Sequence, residues 1–250
     1  MPKIDDKVFK KGRLFLWMLA LAGLLVYGGC HSQKTPASYE IHTAMPINKV
    51  VVDGFHAAMP QGMQPDVVRD PLSGTGFMAE PVPQNVANRM TDILYNRVAA
   101  EKGYELVSPD QAKLVFSNII RSDKNIAKSP IEVLQEVGNT FKADAVLTGY
   151  IYRWREREGS DYAVNRPASV AFDLHLISPA EGTTLWKAKF DETQRSLLEN
   201  VFDLSTFVKS KGRWLTVEKL AMLGLQKILA EMPAGKDSKT RREQIEMEGP

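Results

Sequence analysis

Two alternating runs in the second half of the chain, ASVAFDLHLIS from Ala168 and TTLWKAKFDE from Thr183, constrain the fold more than any other feature. In the first, Val170, Phe172, Leu174 and Leu176 fall on one side and Asp173 and His175 on the other, the period-two pattern of a strand with one apolar face. Ser178-Pro179-Ala180-Glu181-Gly182 interrupts the pattern with turn residues, and the second run resumes it. A five-residue turn places Phe172 opposite Ala188 and Leu174 opposite Trp186 on the core side, with Asp173 meeting Lys187 on a wet face. A slip of one residue would turn the whole apolar set to solvent, so this antiparallel hairpin is strongly specified.

Upstream, Val50-Val51-Val52 is a short β-branched run suited to a strand covered on both sides, closed by Asp53-Gly54. Residues 56–83 are rich in Gly, Pro and Met without a period and read as one long loop. Val86, Met90, Ile93, Leu94 and Val98 then form a helical stripe that Gly103 ends. Tyr104–Val107 is a short strand. Ser108-Pro109-Asp110-Gln111 and Ser129-Pro130-Ile131-Glu132 are capping boxes with proline at the first helical position, each opening a helix. Residues 143–154 form a buried strand, and the polar stretch after it is a hairpin tip. Leu197, Val201, Leu204 and Val208 have helical spacing, and Thr216 caps a last helix bearing Val217, Leu220, Leu223, Leu225 and Ile228. The expected order is β-α-β-α-α-β-β-β-α-α. It describes one α/β (α+β) domain, three-layer-like, with a mixed β-sheet, a C-terminal antiparallel hairpin and flanking helices.

The N-terminus has a different character. Lys3, Lys7, Lys10, Lys11 and Arg13 precede an uncharged apolar segment, Leu14–Tyr27, and Gly28-Gly29 leads to Cys30, the only cysteine. A basic head, an apolar segment and a small-residue exit are the parts of a secretory signal peptide. Fourteen residues rise about 21 Å as a helix, short of the roughly 30 Å hydrocarbon core, which disfavours a permanent span. Removing residues 1–29 takes away five of 32 basic and two of 30 acidic residues, leaving 27 against 28 and a net charge of −1. A near-neutral body gives no electrostatic reason to bind nucleic acid. The expected organisation is signal 1–29, Cys30 and a tether to residue 48, the α/β domain 49–232, and a charged disordered tail 233–250.

A Cys directly after two small residues resembles the bacterial lipoprotein signal, although Tyr27 stands where that pattern has Leu. The resemblance implies that Cys30 is lipidated and becomes the new N-terminus. His31 and Ser32 in place of Asp imply sorting to the outer membrane, facing the periplasm. The strings KVVVDGF, GYELVSPDQ, FKADAVLTGYIYRW and VAFDLHLISPAEGTTLW, across about residues 49–192, resemble a domain of Gram-negative envelope proteins. That group includes the N-terminal domain of the Tol-Pal propeller protein, the curli secretion lipoprotein and lipoprotein activators of penicillin-binding proteins. It implies a non-catalytic module that engages an envelope protein partner. The chain lacks the long amphipathic strands of a channel-forming member.

Chemistry is sparse. His31, His42, His56 and His175 include no pair with metal-binding helical spacing, and the lone thiol serves attachment, so no metal, cofactor or catalytic residue is expected. Gly74-Thr75-Gly76 lacks the Lys-Ser/Thr ending of a phosphate loop. Arg153, Arg155 and Arg157, interleaved with Trp154 and Glu156, read as a solvated strand end. Trp186 is core. Trp154 with Arg155, and Trp214 with Arg213, carry the residue types that dominate interface energetics and are the candidate partner contacts. The competing classes are a structural subunit of a secretion or transport complex, and a hydrolase using carboxylates such as Asp53 or Asp70. A carboxylate pair with a raised pKa would mark the hydrolase.

Overall fold

The run Val50–Val52 lies within a strand whose two faces are both covered, as a parallel position in a sheet requires. In the computed structural model, which describes residues 40–41, 46–122, 128–160, 164–194 and 214–235, this is β2 (Lys49–Ala57). It pairs in parallel with β5 (Glu105–Val107) and β6 (Ala145–Arg155). Antiparallel partners extend the sheet from β6 to β9 (Ser169–Ile177), then β10 (Thr184–Thr193), then the two-residue β1 (Glu40–Ile41). The order is β1-β10-β9-β6-β2-β5. Two small antiparallel pairs complete the strands: β3 (Asp66–Arg69) with β4 (Gly76–Ala79), and β7 (Glu158–Gly159) with β8 (Val164–Arg166). The chain divides into Met1–Pro36 and Ala37–Pro250. The signal segment, Cys30 and the 197–208 helix all lie outside the described residues.

Helices α1 (Gln84–Glu101) and α4 (Val217–Ala230) share one face of the sheet. Val86, Met90, Leu94 and Val98 from α1 join Leu220, Leu225 and Ile228 from α4 in a single cluster with Val50, Val52, Leu147, Phe172 and Trp186. Each such side chain contributes about 1.5–3 kcal/mol through burial. The opposite face is covered in two parts. At one end α2 (Pro109–Ser122) and α3 (Pro130–Thr140) bury Val51, Val146 and Ile177 under Ala112, Ile119, Leu134 and Val137. At the other, Phe77 and Ala79 of β4 lie on Tyr152 and Ala171 with Met59. Both capping boxes form: Ser129 accepts the Glu132 amide while Glu132 bonds back to the Ser129 amide, and Ser108 and Gln111 do the same.

Several expectations need correction. Asp53-Gly54 does not end β2. The strand continues to Ala57 through an irregularity at Gly54, whose φ of +98° takes the backbone where few other residues go. The hairpin register sums to 362 instead of 360, pairing Leu176 with Trp186, Leu174 with Ala188 and Phe172 with Phe190. The turn is tighter than five residues, since the Ser178 amide donates to the Thr183 carbonyl at 2.8 Å, and the register shifts again between Thr184 and Trp186. Because the shift is by two, every side chain keeps its face.

The long loop contains an ordered element: β3 and β4 within residues 66–79 form a hairpin. It covers the face expected to be wet, so Asp173 and His175 are buried. Arg153 is likewise buried instead of solvated. The domain also reaches past residue 232, because Lys102 donates to the Met232 carbonyl at 2.8 Å and the Gly235 amide donates to Lys102 at 2.8 Å.

Candidate functional site

The covered polar face is a seam across three strands. Asp53 projects from β2, Thr148, Tyr150 and Tyr152 from β6, and Asp173 and His175 from β9. Asp70, the first residue after β3, descends onto it from the hairpin. Period-two alternation explains why the strand residues share a side, since Thr148 pairs with His175 and Tyr150 with Asp173.

Arginines fasten the hairpin to the sheet. Arg153 donates through Nε to the Ser169 hydroxyl at 2.7 Å and through Nη1 to the Met78 carbonyl at 2.9 Å, and it pairs with Asp191. Arg155 donates to Glu80 at 2.7 Å. Backbone bonds reinforce both, with the Glu80 amide on the Tyr152 carbonyl at 2.7 Å and the Ala58 amide on Ile151 at 3.0 Å. The Phe77 and Tyr152 rings stack with centroids 3.9 Å apart.

Within the seam, Asp173 accepts the Tyr152 hydroxyl at 2.8 Å and the Tyr150 amide at 3.1 Å. The Asp70 carboxylate accepts the Ser73 amide at 2.6 Å, the Leu72 amide at 3.2 Å and the Ser73 hydroxyl, a turn that fixes its orientation. At the rim, Asp53 accepts from Thr148 at 2.8 Å and pairs with His56 at 2.7 Å. Burial pushes the Asp173 carboxyl above the usual carboxylate range, and the Asp70 charge adds to this against the opposing contacts of His175 and Tyr152. Burial likewise raises the Tyr150 and Tyr152 phenols, so both remain neutral, and Tyr152 donates to Asp173.

The carboxylate pair that would mark a hydrolase is therefore present as Asp70 and Asp173, but these two are only 2 % and 3 % exposed. Asp53 belongs instead to the His56 pair. Trp154 lies half-buried within β6, against the main core, not in an exposed turn. Arg155 is engaged by Glu80. Trp214 is half-buried just ahead of α4, and Arg213 and Cys30 lie outside the described residues.

No family model matches the chain, and no curated protein does. Among solved structures it is similar to the LpoB C-terminal domain from Salmonella enterica, at 15% identity and a TM-score of 0.36 over 62% of this chain and 88% of that one. It is also similar to the PelC dodecamer from Paraburkholderia phytofirmans, at 14% identity and 0.44 over 79% and 97%. A lipoprotein from Neisseria meningitidis matches at 13% identity and 0.37 over 69% and 96%.

The hairpin has a second side. Val67 and Met78, paired directly across β3–β4, are 59% and 53% exposed, and Met63 just upstream is 55% exposed. The neighbouring Phe77 and Ala79 point inward and are buried. Sequence reasoning missed both the seam and this outer strip. Asp173-x-His175 on one strand was the available signal for the seam, since residues two apart share a face. The strip carried no signal until residues 66–79 were known to be strands.

Proposed function

We propose that this chain is a non-catalytic lipoprotein of the bacterial envelope, held by lipid on Cys30 at the periplasmic face of the outer membrane, whose α/β body binds a protein partner. The observation that carries the binding role is the exposed apolar pair Val67 and Met78, with Met63 exposed just upstream, on a hairpin braced from beneath by Arg153 and Arg155. A cross-strand pair of exposed apolar side chains on a fixed support fits a protein contact surface, and methionine adapts its shape to a partner. Trp154, Arg155, Arg213 and Trp214 are candidate flanking contacts. Because Glu40 and Ile41 already pair with β10, a tether of about nine residues would lie between Cys30 and the sheet and let the body range some 15–18 Å from the bilayer by flexible-chain scaling, which suits a partner in or beside the membrane. Two or three acyl chains would anchor it stably.

Photo-crosslinking from residues 67 and 78 in living cells of a diderm host tests the binding role. Enrichment of one envelope protein is the expected result, and recovery of nothing specific overturns it. Crosslinks only between copies of this chain would favour the structural subunit of a larger complex. The hydrolase reading gains little, because its carboxylates are sealed beneath the hairpin. Intact-mass measurement of the processed protein tests the anchor: residues 1–29 should be absent and Cys30 should carry acyl mass.

A further inference from the structure

Hydrogen bonding does not complete the buried cluster in the seam. His175 is 2% exposed, and its Nε2 lies 3.3 Å from an oxygen of Asp70 and 3.3 Å from an oxygen of Asp173. Neither approach has the alignment of a hydrogen bond, so the imidazole points between two carboxylates without bonding to either. Two carboxylates facing each other out of water are costly unless positive charge stands between them.

We infer that Asp70, Asp173 and His175 form a structural site for a divalent transition-metal ion of the zinc class, which would fasten the β3–β4 turn to β9. The three donor atoms all lie within 4.8 Å of one another. A tetrahedral ion with bonds of about 2.0–2.1 Å separates its ligand atoms by about 3.3 Å, which is the separation His175 keeps from both oxygens. One imidazole nitrogen with two carboxylate oxygens suits zinc or manganese better than the all-oxygen shells that calcium and magnesium prefer. Orienting partners are in place for both carboxylates: the Ser73 and Leu72 amides for Asp70, and the Tyr152 hydroxyl with the Tyr150 amide for Asp173. Three protein donors leave a fourth position for a water or a second carboxylate oxygen, and the burial of all three residues keeps a substrate from reaching it.

Other charge faces this cluster from β10, where Lys187 lies opposite His175 and Lys189 opposite Asp173. A lysine is therefore the rival source of positive charge. Asp53 is held apart by His56 and Thr148, and Asp191 by Arg153.

The test uses the purified full chain, stripped with chelator and titrated separately with zinc, manganese and magnesium. One equivalent of zinc or manganese should bind, raise the melting temperature by several degrees, and slow proteolysis within residues 66–79. Magnesium should do none of these. Asp70→Asn and His175→Gln should each lose the stoichiometric equivalent, with native circular dichroism showing that the fold survives. His56→Gln should retain it, and loss there instead would assign binding to the rim and overturn the proposal. Wild-type protein that binds neither zinc nor manganese, and whose melting temperature chelator leaves unchanged, would also overturn it. So would a melting temperature that falls in Lys189→Met but does not respond to metal in wild type.

Discussion

Phe55 and Thr91 meet where α1 crosses β2: the Phe55 amide donates to the Thr91 hydroxyl at 2.8 Å, and that hydroxyl donates to the Ala87 carbonyl at 2.9 Å. The irregularity at Gly54 frees the Phe55 amide from the ladder, and a helix side chain takes the place of the missing strand partner. A methyl group on Gly54 would lie 2.4 Å from Thr91 Cγ2, so the glycine is required both by its φ and by the approach of the helix.

Thr91→Val keeps the shape and deletes the acceptor, leaving a part-buried amide unsatisfied. Chemical denaturation should show a loss of about 1–3 kcal/mol. Gly54→Ala should cost at least as much, through strain and overpacking together. Stability unchanged in both would remove this junction from the account of the fold.

Arg153 is the main tie between hairpin and sheet, so Arg153→Met should act locally. It frees the Met78 carbonyl and removes the donor to the Ser169 hydroxyl, which keeps Thr193, at a cost of about 2–3 kcal/mol. Amide exchange at residues 66–79 should accelerate far more than in β6 or β9. Uniform acceleration would mean that the hairpin is not a separately opening unit.

The pair His56 and Asp53 makes stability depend on pH. Burial by itself would lower the imidazole pKa, but the hydrogen bond and charge of Asp53 outweigh it, and the net shift is upward despite Lys113. A folded value above the unfolded one means that the protonated pair stabilises the native state fully below about pH 6.5. The contribution is lost as pH rises through the folded value. Denaturation followed from pH 5.5 to 8 should show that decline, and His56→Gln should flatten it; a variant with the wild-type slope would clear His56.

Val67→Lys and Met78→Lys should leave stability within about 0.5 kcal/mol, since both side chains already face water. Under the binding proposal Val67→Lys should abolish crosslinking from residue 78, and Met78→Lys crosslinking from residue 67. Retained crosslinking at wild-type yield would place the contact elsewhere.

Periodic and capping features were legible because they depend on neighbours in sequence. Ser108, Ser129 and Thr216 sit at helix starts as their local chemistry requires, and Val86, Met90, Leu94 and Val98 face inward as their spacing demands. The strand alternation of residues 170–176 held, even though the pairing moved by two, because hydrophobic burial specifies a face and not a partner. Asp53-Gly54 misled because the pair serves a bulge as readily as a turn, and only the approach of Thr91 chooses between them.

The residues alone were enough to dictate a mixed sheet flanked by helices, its apolar face and its helix ends, since these follow from short-range spacing and the drive to bury apolar area. Whether the face bearing Asp173 and His175 met water depended on residues 66–79, about a hundred positions away, folding back over it. That closure rests on Arg153 reaching a carbonyl and Phe77 stacking on Tyr152, contacts that no local pattern encodes. A charged residue on an alternating strand looks the same in sequence whether solvent or another layer lies above it, and only long-range packing makes the difference.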